Sequence, residues 1–155
     1  MDTSDLIPET KIQGEDQEET RELKSMLQEA KEYIESFNWT PKISRVYMGI
    51  GLGGVLGVFL FEFAHAIGGT EDEYLWVIVG DIPSAYLVTE EAPRPVQALE
   101  IYCELMNDWA EAVTNNSSLE EVFPVQAPAT KEHAEMLLSR IAFIRENIIP
   151  EFTSE

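Results

Sequence analysis

Apolar residues recur along this chain with two different periods, and the places where one period gives way to the other mark out its elements. From Glu15 onward Leu23, Met26, Leu27, Ala30, Ile34 and Phe37 return every three or four residues among charged neighbours, the signature of an amphipathic helix. Acidic residues crowd its first turns, where they complement the helix dipole, and Asn38-Trp39-Thr40-Pro41 closes it because the residue before a proline is pushed out of helical geometry. A helical period comes back at Val96, Leu99, Cys103, Met106, Ala110 and Val113, with a second line through Ala98, Tyr102, Leu105 and Trp109 that widens the buried face. It returns a third time at Ala134, Leu137, Leu138, Ile141, Ile144 and Ile148, with Thr130 as cap and Pro150 as terminator. A single extra helical turn is predicted over Leu119 to Val122, followed by an extended crossover marked by Pro124 and Pro128.

Between the first two helices the pattern is that of strands. Tyr74 to Val79 is β-branched and aromatic, and Gly80-Asp81-Ile82-Pro83 stops it; Ser84 to Val88 is a shorter return strand. The preceding run from Arg45 to Glu62 is uncharged between its ends and holds five glycines, which admits three readings. As a membrane span it falls short of the ~20 apolar residues a bilayer requires. As a dinucleotide loop, Gly49-Ile50-Gly51-Leu52-Gly53-Gly54 fits G-x-G-x-x-G, yet a strand-like Val55 to Phe61 follows where that motif needs a helix. As a hairpin with Gly53-Gly54 in a two-residue turn, it pairs Leu52 with Val55, Ile50 with Gly57, Met48 with Phe59 and Val46 with Phe61 on one face. On the other face Gly51 meets Leu56, Gly49 meets Val58, Tyr47 meets Leu60, and Arg45 meets Glu62 as a cross-strand charge pair. The hairpin is the reading that uses every residue. The expected fold is therefore α+β: an antiparallel meander of three to four strands (hairpin about 45–63, strands about 74–80 and 84–88) packed by one N-terminal and two C-terminal helices. Residues 1–14 are expected to be a flexible leader and 15–155 a single globular domain.

Charge narrows the partners. Twenty-nine acids against ten bases give −19, with 11 acids and 4 bases in residues 1–36, 7 and 3 in 37–95, and 11 and 3 in 96–155, so the excess is spread along the chain. Such a surface repels nucleic-acid backbones and anionic lipid; it allows a basic protein partner, and it is equally the surface of a chain whose acidity serves only solubility or the salt level around it. One cysteine rules out an internal disulfide, and the N-terminal residues lack the basic and apolar regions of a secretory signal, which makes the cytoplasm the expected compartment. The Asn-x-Ser/Thr triplets at Asn38, Asn115 and Asn116 are then turn chemistry.

Candidate chemistry is sparse. His65, with Glu62 before it and Glu71, Asp72 and Glu73 after it, has no recognised metal-ligand spacing. His133-Ala134-Glu135 matches H-x-E without the P-C-x-x-C that a zinc deaminase needs, and Cys103 lies on a helix's apolar stripe. No catalytic, cofactor or metal residue is assigned. The leading expectation is a non-enzymatic interaction domain, of the inhibitor or immunity type, that masks a basic partner with Glu71, Asp72, Glu73, Glu90 and Glu91 as its rim; self-association through helices or a sheet edge is compatible with it. The competing expectation is an enzyme or small-molecule binder with a pocket between sheet and helices.

Overall fold

The computed structural model describes residues 1–125 and 127–153. They form two compact units, Met1–Ala98 and Leu99–Glu155. The first unit holds one antiparallel sheet in the order β1-β2-β3-β4-β5, each strand beside its successor: β1 (Ile7–Pro8), β2 (Ile43–Leu52), β3 (Leu56–Phe63), β4 (Tyr74–Gly80) and β5 (Ala85–Val88). The meander is as predicted, with one strand more. The additional strand, β1, pairs Ile7 with Met48 and Pro8 with Tyr47 in a stretch that carries no periodicity of its own. Burial of Leu6 and Ile12 on either side of it supplies the driving force, and Glu9 forms a 2.7 Å ion pair with Lys31.

Helix α1 (Gln17–Glu35) covers one face of this sheet. Asp16 caps it by accepting a hydrogen bond from Glu19 N at 2.8 Å, while the Glu19 carboxylate reaches back to Glu15 N, also at 2.8 Å. Its apolar stripe Leu23, Met26, Leu27, Ala30 and Ile34 packs with Val46, Met48, Phe59, Phe61, Phe63, Leu75, Val77 and Val79 in one buried cluster. The alternate residues of the strands, Val58, Leu60, Trp76, Ile78 and Ala85, are equally buried, so β3 and β4 are apolar on both sides. On that second face Trp76 Nε1 donates to Ala92 O at 2.6 Å, anchoring the segment that leads to α2 (Pro95–Thr114).

The β2–β3 hairpin confirms the predicted register over its open half and corrects it over its tip. Arg45 faces Glu62, Val46 faces Phe61, Tyr47 faces Leu60 and Met48 faces Phe59, as the charge pair required. Beyond Met48 the pairing shifts by one: Ile50 faces Val58, Gly51 faces Gly57 and Leu52 faces Leu56, leaving Gly49 as an unpaired β-bulge. The turn then contains three residues, Gly53 to Val55, with Val55 N donating to Leu52 O at 2.9 Å and Gly54 at φ 73°. A bulge flips the side on which each later residue emerges, so Met48 points toward α1 and Ile50 away from it. Close packing explains the choice of residue: a Cβ on Gly49 would lie 2.5 Å from Pro95 Cβ.

In the second unit α2 continues to Thr114 and ends with Asn116 at φ 53°, Ser117 N donating to Ala112 O at 2.8 Å in a Schellman-type closure. Residues 119–122 are turns and bends, so the extra helical turn predicted there is absent; Glu120 N is taken by Ser118 Oγ at 3.2 Å instead. Where an extended crossover is predicted, residues 123–125 and 127–130 are neither helix nor strand, and Thr130 N donates to Pro128 O at 2.8 Å in a tight turn; Gln126 lies outside the described residues. Helix α3 (Lys131–Phe143) starts at the predicted Thr130 cap, whose Oγ1 accepts from His133 N. It does not stop at Pro150. A π-helical turn, Ile144–Ile148, leads into α4 (Ile149–Thr153), which places Pro150 in the opening turn of a new helical segment, where a missing N–H is tolerated.

Candidate functional site

The strand pairing decides where the acidic residues gather. Leu75 pairs with Val88 at the final rung between β4 and β5, so the β3–β4 loop and the segment following β5 leave the sheet at the same end. Glu71, Asp72 and Glu73 sit on the first and Glu90 and Glu91 on the second; all are exposed except Asp72, which is half-buried. The predicted rim residues, 17 or more positions apart in sequence, are thus carried to one edge of the fold.

Both segments have fixed backbones. In the β3–β4 loop Phe63 N donates to Glu73 O and Ile67 N to Asp72 O, each at 2.8 Å, and Ile67 packs against the core beneath α1. Thr70 Oγ1 accepts from Asp72 N at 3.2 Å. After β5, Ala92 N donates to Thr89 O at 3.1 Å, a turn with Glu90 and Glu91 at its two central positions. Burial of Ala92 and its bond from Trp76 tie that turn to the sheet.

Next to this rim lies an aromatic cluster that joins the end of α1 to β5. Ring centroids are 5.2 Å apart for Tyr33 and Phe37, 5.3 Å for Phe37 and Tyr86, 5.4 Å for Phe37 and Trp39, and 5.1 Å for Trp39 and Tyr86. Burial, with the Tyr86 hydroxyl as a second cause, pushes the Tyr33 phenol up from 10.0 to about 12.

A second acidic feature escaped the sequence reading. Glu22, Ser25, Glu29 and Glu32 of α1 line a groove of about 640 Å³ whose far wall is Gly54 of the hairpin turn with Gly80 and Asp81 at the end of β4. Gly80 is held at φ 141° with the Val55 carbonyl where a Cβ would sit, and Asp81 N donates to Val55 O at 3.0 Å. The signal in the sequence was the 22–25–29–32 spacing, which places four polar residues on one helical face; it is hidden among the other acids of a solvent-facing helix.

The remaining candidates are placed apart from one another. His65 is exposed, with Nδ1 3.1 Å from Ala66 O, and His133 is spent on its helix cap, its Nδ1 2.7 Å from Thr130 Oγ1. Cys103 is buried, and burial pushes its thiol up from 9.0 to about 11, with Arg145 opposing and Glu100 and Glu104 adding to the rise. Among the described residues no three His, Cys, Asp or Glu side chains are grouped to hold a metal ion, and no helix is long and apolar enough to cross a membrane. Val55 closes the hairpin turn and Leu56–Phe63 is strand, so the G-x-G-x-x-G run lacks the helix N-terminus that cradles a pyrophosphate.

No protein family, curated protein or solved structure matches this chain. Residue chemistry and geometry therefore carry the functional argument alone.

Proposed function

We propose that the chain is a cytoplasmic, non-enzymatic interaction domain that masks a basic protein partner with the acidic end of its sheet. The observation that carries this reading is the convergence of Glu71, Asp72 and Glu73 with Glu90 and Glu91 at the β4–β5 end of the meander. Five carboxylates on two anchored turns form a fixed negative field, which speeds encounter with a basic surface and sets its orientation. Capture of a basic partner that weakens steeply with added salt, and that is lost in the combined variant Glu71→Gln, Asp72→Asn, Glu73→Gln, Glu90→Gln and Glu91→Gln, supports the reading. Salt-sensitive capture that survives this variant removes it.

Small-molecule binding is the second reading, favoured by the groove beside α1. A concave site of about 640 Å³ with Glu22, Glu29 and Glu32 along one wall suits a small organic cation. Calorimetric titration with spermidine separates the two: heat that disappears in Glu22→Gln/Glu29→Gln/Glu32→Gln and persists in the rim variant assigns the groove.

A further inference from the structure

We propose that Trp39 is the anchor of the partner surface, a stacking platform for an arginine side chain of the basic partner at the margin of the acidic rim. This deepens the reading given above and rests on it.

The three tryptophans differ sharply in exposure: Trp76 and Trp109 are 0% and 3% exposed, whereas Trp39 is 39% exposed. One exposed tryptophan is unremarkable by itself. This one is part of a patch. Its ring packs against Tyr86 on β5, and Val88, two residues further along the strand and hence on the same face, is 47% exposed. Glu90 and Glu91 follow directly in the turn after β5. An apolar aromatic centre bordered by charge is the layout of an interaction hot spot, where Trp, Tyr and Arg are the enriched residues.

The platform is also rigid before any partner arrives. Phe37 and Tyr86, whose own centroids are 5.3 Å apart, pack together against one side of the indole, with interplanar angles of 35° and 59°. The turn that carries it is closed by Thr40 Oγ1, which donates to Phe37 O at 3.1 Å, and by Ser36 Oγ, which donates to Tyr33 O at 2.6 Å. Little rotamer freedom is left to lose on binding.

Charge complementarity selects the occupant. Lysine and arginine are the side chains drawn to this end of the sheet, and both are attracted to an indole face. Arginine fits better, because its planar guanidinium stacks on the ring while its edge N–H groups remain free to donate to carboxylates. The surface thus reads a basic segment by shape as well as by charge.

The test uses the full chain with a hexa-arginine peptide as probe, and hexa-lysine and hexa-citrulline peptides as controls. Because Trp39 is the exposed indole, acrylamide quenching of tryptophan fluorescence reports on it. Expected is protection from acrylamide on adding hexa-arginine, weaker protection with hexa-lysine and none with hexa-citrulline. Trp39→Leu should weaken hexa-arginine binding about two- to fivefold, and Trp39→Phe less than about twofold, on the scale of a stacked cation in water. If the five-residue rim variant abolishes binding while Trp39→Leu and acrylamide quenching are unaffected, the anchor is wrong and the acidic-rim reading stands. If binding survives the rim variant, or the wild-type protein does not bind the peptide, both are wrong. Quenching of the wild-type protein keeps the test decisive even where a substitution disturbs folding.

Discussion

Gly80 is the residue at which the fold has least latitude. Its φ of 141° is accessible to glycine almost alone, and a Cβ there would overlap the Val55 carbonyl, which also holds Asp81 N. Gly80→Ala is expected to cost about 1–3 kcal/mol in backbone strain and more from the overlap, read as a fall in the urea midpoint at unchanged slope. Tyr33 makes a prediction of a different kind. Its phenol is raised from 10.0 to about 12 in the fold, so the native state keeps a proton that the unfolded chain gives up near pH 10. Its stabilising contribution is complete below pH 10 and is lost as pH rises toward 12. Cys103 behaves alike between its ordinary 9.0 and about 11. Alkaline melts should therefore show two separable losses, the earlier one reduced in Cys103→Ala and the later one in Tyr33→Phe. The same burial should leave the Cys103 thiol silent to a disulfide reagent at neutral pH until the protein is unfolded.

Helix α1 shows how local signals specify an element. Asp16 and Glu19 close its first turn reciprocally, and Asp16→Ala should lower stability by about 1 kcal/mol, measured by chemical denaturation. Helical stripes and β-branched runs were legible because each follows a single period, and α1, α2, β4 and β5 lie within two residues of their predicted limits. The hairpin was legible only as far as pairing was symmetric: the Arg45 to Glu62 rung announces its own register, whereas a bulge at Gly49 leaves no mark among neighbouring glycines. What selects it is the approach of Pro95, 46 residues away, which no local pattern contains. Strand β1 was missed for the same reason, since two residues are too few to show alternation, and the π-turn before Pro150 is a helical irregularity that preserves the apolar stripe. The acidic residues of the expected rim were visible in the sequence, yet the end of the sheet that they share was not visible until β4 and β5 were paired; the α1 groove required the hairpin turn to be folded against the helix.

Over the whole chain, a net charge of −19 means that folding confines like charges. Added salt should stabilise the protein while weakening its hold on a basic partner: between about 10 mM and about 500 mM sodium chloride the melting temperature should rise and the affinity fall, because the screening length shrinks from roughly 30 Å to a few Å. A flat or opposite response of stability would mean that the acids are already compensated in the fold. The sheet carries a further liability that charge alone does not remove. Strand β2 is ten residues long, and an uncovered edge of that length presents a row of backbone N–H and C=O groups on which another chain can pair. Against its outer side lies β1, two residues fastened by the burial of Leu6 and Ile12, and one of the two is a proline that offers no N–H to an incoming chain. So small a strand adds little to the core. Its larger effect is to occupy the edge of β2 at Tyr47 and Met48, interrupting the row of backbone groups on which a second chain would have to pair.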